Sequence, residues 1–119
     1  MCRRQVRTLI QESFVIANQR IEVIPASELV LVDGEAIEKM PPLQFGALAL
    51  LASKADTRLH WTRIRGEVWP PRLDPPQRKG VQMAIFHARA HLLHEELTDP
   101  KNGPIRKVGN GIYTALSEF

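Results

Sequence analysis

The last third of the chain admits few folds. Residues 77–97, QRKGVQMAIFHARAHLLHEEL, carry apolar side chains at helical spacing. Val81, Ile85, Ala88 and Leu92 form one stripe, with Met83 and Leu93 nearby and Glu96 at its end. Lys79, Gln82, Phe86, His87 and Arg89 lie on the opposite stripe. Residues 98–104, TDPKNGP, then combine two prolines with Asn and Gly, which stops a helix. Beyond them, residues 105–108 and 112–116 flank Gly109-Asn110-Gly111, whose residues readily take the positive φ of a tight turn. The spacing predicts one long helix over 77–97, followed at once by a two-stranded hairpin.

Upstream the period falls to two. Phe14-Val15-Ile16-Ala17 and Arg20-Ile21-Glu22-Val23-Ile24 flank an Asn18-Gln19 turn, and Pro25-Ala26-Ser27 ends the run. Residues 28–32 lead into Asp33-Gly34, a strong tight-turn dipeptide, and residues 35–40 pair back with Ile37 toward the core. This predicts an antiparallel N-terminal sheet of three or four strands, behind a tail or short helix over 1–13. Pro41-Pro42 opens the first helix, because proline in the first turn has no intrahelical N–H bond to lose. Its face is Leu43, Ala47, Leu50 and Leu51, widened by Phe45 and Leu48, and it ends near residues 54–56. Thr62 is the expected N-cap of a second helix, with Ile64, Val68 and Trp69 as its apolar side. Pro70-Pro71 stops that helix, and four prolines within residues 70–76 make a stiff loop.

A chain of 119 residues suits one domain with one core, and an apolar fraction of 44% excludes a disordered chain. No apolar run reaches the length that crosses a bilayer, and the basic N-terminus lacks the apolar stretch of a signal peptide. The single Cys2 has no partner for an internal disulfide, which fits a reducing cytoplasm. Net charge is only +3, but it is unevenly spread: residues 12–57 carry three basic and seven acidic side chains, and residues 58–107 carry ten and five. The basic surplus accompanies the long helix and the hairpin, and a local surplus of that kind points to a polyanion.

The order of sheet, helix, helix, proline loop, long helix and hairpin resembles the OmpR/PhoB-type winged helix-turn-helix domain, the DNA-binding half of many bacterial response regulators. The resemblance covers residues 14–116. Asp33-Gly34 matches the family's strand turn, Leu43-Gln44-Phe45 with Leu48, Leu50 and Leu51 its first helix, and Val68-Trp69 the end of its second. Val81, Ile85, Arg89 and Leu92 fall on its recognition-helix pattern; Ile105-Arg106-Lys107-Val108 and Tyr113 fall on its wing. The implied fold is α+β: a winged helix-turn-helix over residues 14–119 with an N-terminal antiparallel sheet, three helices and a C-terminal β-hairpin wing. The sequence departs from the family on the contact face. Phe86 and His87 stand where two basic residues are usual, Ala84 occupies another contact position, and Gly109 and Ile112 replace the wing's Arg and Gly. The family's receiver domain has no counterpart here, so a stand-alone domain is expected.

The resemblance implies a cytoplasmic, nucleoid-associated bacterial transcription regulator that binds duplex DNA. The recognition helix, residues 77–97, would enter the major groove; the wing, residues 105–116, would lie over the adjacent backbone or minor groove. Gln82 suits bidentate contact with adenine, Met83 and Phe86 suit a thymine methyl, and Arg89 suits a base edge or phosphate. Arg78, Lys79, Arg106 and Lys107 are phosphate partners, with His87, Asn110 and Tyr113 beside them on the same two elements, and Arg63 and Arg65 offer backbone contacts from the second helix. Two copies on one DNA site are expected, since a single small module has limited affinity. The proline loop corresponds to the segment that can contact RNA polymerase in this family, with Arg72, Leu73 and Asp74 at its tip. The alternative is a winged-helix protein-interaction module that holds polymerase or another regulator through Phe86, Met83 and that loop. A third reading is a metal sensor built on His87, His91 and Glu95, but the helical spacing supplies only the zinc pair and not a full ligand set. No metal, cofactor or catalytic centre is assigned: the sequence holds no nucleophile elbow, phosphate-binding glycine loop or paired Cys motif.

Overall fold

The computed structural model describes residues 12–71 and 77–119. The tail expected over 1–13 falls almost wholly outside them, as do Arg72, Leu73 and Asp74 of the proline loop. Strand β1 (Phe14–Ile16) pairs antiparallel with β2 (Ile21–Ile24), which pairs with β3 (Leu29–Val32), and β3 with β4 (Glu35–Ala36). Alternation decides the faces: Ile21 lies opposite Val32 and Val23 opposite Val30, and all four are buried. Asp33 (φ 52°) and Gly34 (φ 85°) both take positive φ, the combination that a two-residue hairpin turn requires. Ile37 follows β4 and turns inward, its N–H donating to the carbonyl of Val30 at 3.0 Å.

Helix α1 (Pro42–Ser53) starts behind Pro41, as expected, but buries a different face. Phe45, Ala47, Leu48, Leu51 and Ala52 are buried, whereas Leu43 and Leu50 are only partly covered. The reason is that α1 has neighbours on several sides: the N-terminal sheet, α2 and α3 all pack on it. Helix α2 (Trp61–Val68) is capped by His60 rather than Thr62. His60 Nδ1 accepts from the Thr62 N–H at 3.3 Å, and the two side chains also bond at 2.8 Å. The cap sits there because Leu59–His60 is itself a short strand, β5, which holds His60 in an extended conformation just before the helix. A two-residue strand shows no periodicity, and the sequence reading contains none at this point.

The long helix expected over 77–97 is two helices. Helix α3 (Arg78–Ala90) stops at His91, and a single turn, α4 (Glu95–Thr98), follows. Between them the His94 N–H donates to the Leu92 carbonyl at 2.7 Å, with Leu93 at φ 66° and 62% exposed. Leu92 and Leu97 are both fully buried, and the tight turn lets both reach the core. Glu96 faces solvent and Leu97 replaces it as the next inward residue. The hairpin follows as β6 (Ile105–Gly109) and β7 (Ile112–Ala115), with β7 central between β5 and β6. A register shift between Lys107 and Gly109 bulges β6 near its tip. Ala17 and Asn18 donate backbone N–H groups to the carbonyls of Leu116 and Ser117 at 2.9 and 2.8 Å, so the two sheets are stitched together at their ends. The shared core includes Ile16, Ile21, Leu48, Leu51, Ile64, Ile85, Leu92 and Ile105, each contributing about 1.5–3 kcal/mol by burial.

Candidate nucleic-acid interface

Helix α3 turns Val81, Ala84, Ile85 and Ala88 inward. Its helical period therefore leaves Lys79, Gln82, Met83, Phe86 and His87 on one solvent face. Two of these are large and apolar: Phe86 is 48% exposed and Met83 38%. Phe86 packs edge-on against the His87 ring, with centroids 5.4 Å apart. Lys79 and, on the hairpin, Lys107 are exposed cations.

The hairpin is fastened to the helices at its tip. Arg78 Nη1, in the first turn of α3, donates to Asn110 Oδ1 at 2.7 Å. The Trp61 N–H, at the start of α2, donates to the Gly111 carbonyl at 2.8 Å. Gly111 has φ 74°, and a Cβ there would lie 2.6 Å from Trp61 Cδ1, so both conformation and space require glycine. The Arg65 guanidinium covers the Trp61 ring at 4.9 Å, and Arg63 pairs with Glu67 at 2.8 Å. Arg106 is committed internally: its Nε and Nη2 donate to the carbonyls of Gly103 and Asn102 at 2.6 and 3.1 Å, closing the loop before β6.

Arg89 departs from the exposed stripe on which the sequence reading set it. It is 8% exposed, and its Nη1 donates to the Ile105 carbonyl at 3.4 Å. Its position explains this: Arg89 is four residues beyond Ile85 and eight beyond Val81, on the inner side of the helix. Burial pushes its pKa down, countered in part by Tyr113 and Asp99, yet a guanidinium keeps its proton. Tyr113 is 2% exposed, and burial raises its pKa, so it is a neutral phenol at ordinary pH. Among the described residues its hydroxyl has no hydrogen-bond partner. A buried hydroxyl left in that state costs on the order of 1–3 kcal/mol. Both residues line a cavity of about 170 Å³ between α3 and the hairpin, with Gln82, Met83, Phe86, Pro100 and Lys107 around it. Neither this cavity nor the clamp on Trp61 was anticipated from sequence.

The three helix histidines separate. His87 is on the open face, His91 Nε2 meets Gln44 Oε1 at 3.1 Å, and His94 Nε2 meets Asp33 Oδ2 at 3.2 Å. Among the described residues no group of three or more His, Cys, Asp or Glu side chains could hold a metal ion. His87, His91 and Glu95 are thus not brought together. No helix among the described residues is long and apolar enough to cross a membrane.

No protein-family model matches the sequence, and no match is found among curated proteins. Solved structures do match. The response regulator DrrB of Thermotoga maritima, an OmpR/PhoB homologue, superimposes with a TM-score of 0.71 at 17% identity, over 95% of this chain and 48% of its own. The chain therefore spans about half of DrrB. The DNA-binding domain of Klebsiella pneumoniae RstA, solved in complex with the RstA box, matches with a TM-score of 0.69 at 22% identity, over 89% of this chain and 98% of its own. The DNA-binding domain of E. coli CpxR gives 0.68 at 20%, over 89% and 97%.

The fold is that of the OmpR/PhoB-type winged helix-turn-helix domain. At these identities the likeness is one of fold. In that fold α3 stands in the position of the recognition helix and β6–β7 in that of the wing, and the N-terminal four-stranded sheet belongs to the same architecture. The winged helix-turn-helix resemblance read from Asp33-Gly34, Val68-Trp69 and the Ile105–Tyr113 pattern is thus met in three dimensions.

Proposed function

We propose that this protein is a bacterial transcription regulator that binds duplex DNA with the recognition helix in the major groove and the wing over the adjacent backbone or minor groove. One observation carries the reading: the open face of α3, with Lys79, Gln82, Met83, Phe86 and His87, stands beside a wing fastened to it through Arg78 and Asn110. Gln82 has the amide for bidentate contact with adenine, and Met83 and Phe86 the apolar surface for a thymine methyl. Lys79 and Lys107 neutralise phosphates, and Arg78 approaches them from the first turn of α3. Arg106, Asn110, Tyr113 and Arg89 act mainly by shaping the wing, given the bonds and burial described above. The RstA domain, solved on its own DNA box, supports this docking by its shared fold. Two copies side by side on DNA, a contact between residues 72–74 and RNA polymerase, and a place at the nucleoid belong to the same proposal.

Selection from random duplex DNA, followed by titration of the enriched pool at two salt concentrations, tests it. A recurring motif whose affinity falls steeply with salt is expected. Absence of both a motif and salt-sensitive binding would sink the reading. The second reading, a winged-helix module that holds a protein, is favoured by the exposure of Phe86 and Met83 on the open face. It requires that Phe86→Ala abolish capture of RNA polymerase while binding to DNA is nil from the start.

A further inference from the structure

We propose that the cleft between the recognition helix and the wing is a binding site for a small organic carboxylate, and that its occupancy weakens binding to DNA. The second half rests on the function proposed above; the first does not.

The cleft holds about 170 Å³, many times the roughly 10–15 Å³ that one water needs. Its polar groups are all donors or able to donate. Arg89 offers a planar fork, of which Nη1 makes one long bond of 3.4 Å to the Ile105 carbonyl. A guanidinium fork matches a carboxylate with two parallel N–H···O bonds. Tyr113 adds a protonated hydroxyl that has no acceptor among the described residues. Gln82 contributes an amide, and Lys107 a second cation on the wing side. Met83, Phe86 and Pro100 form the apolar part of the lining, which suits a short hydrocarbon body better than a bare inorganic ion. The acidic neighbour is Asp99, whose carboxylate already accepts from the Lys101 N–H at 2.8 Å and the Asn102 amide at 3.4 Å. A site of cations and orphan donors with apolar walls selects an anion with a small organic tail.

The location ties occupancy to DNA. A bound carboxylate offsets Lys107 and Arg89 at the edge where phosphates would approach, and it occupies Gln82 and Phe86 on the open face of α3. Repulsion and loss of contacts then act together, so affinity for DNA falls as the ligand rises.

The same anionic chemistry could come from a DNA phosphate, and the experiment separates the two sources. Propionate, benzoate and inorganic phosphate are titrated into the full chain without DNA while ¹H–¹⁵N spectra are recorded. Saturable shifts centred on Gln82, Arg89 and Lys107 are expected with both carboxylates, and weaker ones with phosphate. Tyr113→Phe should lower carboxylate affinity about tenfold without lowering the melting temperature, since it only deletes an unpartnered hydroxyl. Arg89→Lys keeps the charge but loses the fork, and should weaken propionate similarly. Shifts that never saturate, or that are unchanged in Tyr113→Phe, would overturn the site. So would carboxylates that fail to bind while Tyr113→Phe weakens DNA, because the cleft would then serve a phosphate. Saturation by benzoate with no effect on DNA affinity would overturn the coupling. Saturation in a protein with no affinity for DNA would leave the site standing and remove the proposed DNA reading instead.

Discussion

Lys107 and Arg89 flank one cleft and have opposite fates. Lys107 faces solvent on the wing, where, in the proposed docking, its charge would release counterions from DNA. Lys107→Ala is expected to weaken all DNA sequences similarly and to lower the salt slope by about one. A filter-binding series over several salts checks this, and a loss confined to one sequence would contradict a phosphate contact. Lys79→Ala should act in the same way from the recognition helix. Arg89 is buried, so its removal reads out in folding: Arg89→Ala should destabilise by about 1–3 kcal/mol, through lost packing of the side-chain stem and an unpaired Ile105 carbonyl. An unchanged urea midpoint would show that the packing does not matter. The helical spacing from Ile85 to Arg89 contained this signal, but a charged residue invites an outward reading. The wing pattern points Tyr113 toward DNA, but β7 is the central strand of its sheet, and Tyr113, Thr114 and Ala115 are all buried in succession.

At the scale of elements, what was legible is what has a local cause. Asp33-Gly34 demands a hairpin because its backbone needs positive φ, and the Pro41-Pro42 start and Gly109-Asn110-Gly111 turn follow from equally local chemistry. The end of α3 was not legible. No glycine, asparagine or proline marks it; Leu93 adopts φ 66° because Leu92 and Leu97 are each anchored in the core. A leucine in that conformation stores roughly 1–3 kcal/mol of strain. Leu93→Asn, at an exposed position, should recover about 0.5–1 kcal/mol, because asparagine tolerates positive φ. Thermal melts of the two proteins decide it, and a lower melting temperature for the variant would place the strain elsewhere. Strand β5 was missed for a different reason: Leu59–His60 exists only because β7 offers it an edge.

For the whole molecule, two aspartates, Asp33 and Asp56, bind separate parts of the chain together, and a third, Asp99, closes the local turn before β6. Asp33 takes a bidentate contact from Arg20 at 2.8 Å, and His94 approaches it from beyond α3. Asp56 holds the Ser117 hydroxyl and N–H, and Asp99 accepts from the Lys101 and Asn102 backbone. The Arg20 hydrogen bond holds the Asp33 carboxyl below the usual carboxylate range, and the Ser117 and Lys101 donors do so for Asp56 and Asp99. A carboxylate with a depressed folded pKa stabilises fully above its unfolded value, near about 3.9, and that contribution disappears as pH falls through the folded value. The protein should therefore lose stability progressively below about pH 5. The gap in urea midpoint between wild type and Asp56→Asn should close over the same range. A gap independent of pH would remove Asp56 from the acid response.

The wing tip is tied to the helices by two bonds, Arg78 of α3 to Asn110 and Trp61 of α2 to Gly111. In the proposed docking, a wing tied in this way would make the protein a gauge of set width. Whatever bases the helix reads, the flanking backbone has to arrive at a set distance and phase along the duplex. One inserted base pair moves that flank by about 3.4 Å and rotates it, which a free wing could follow and a tied one would not. In such an operator the Lys107→Ala substitution should cost nothing, because the wing has already lost its hold, and the protein would tell correct from incorrect spacing without touching the bases in between.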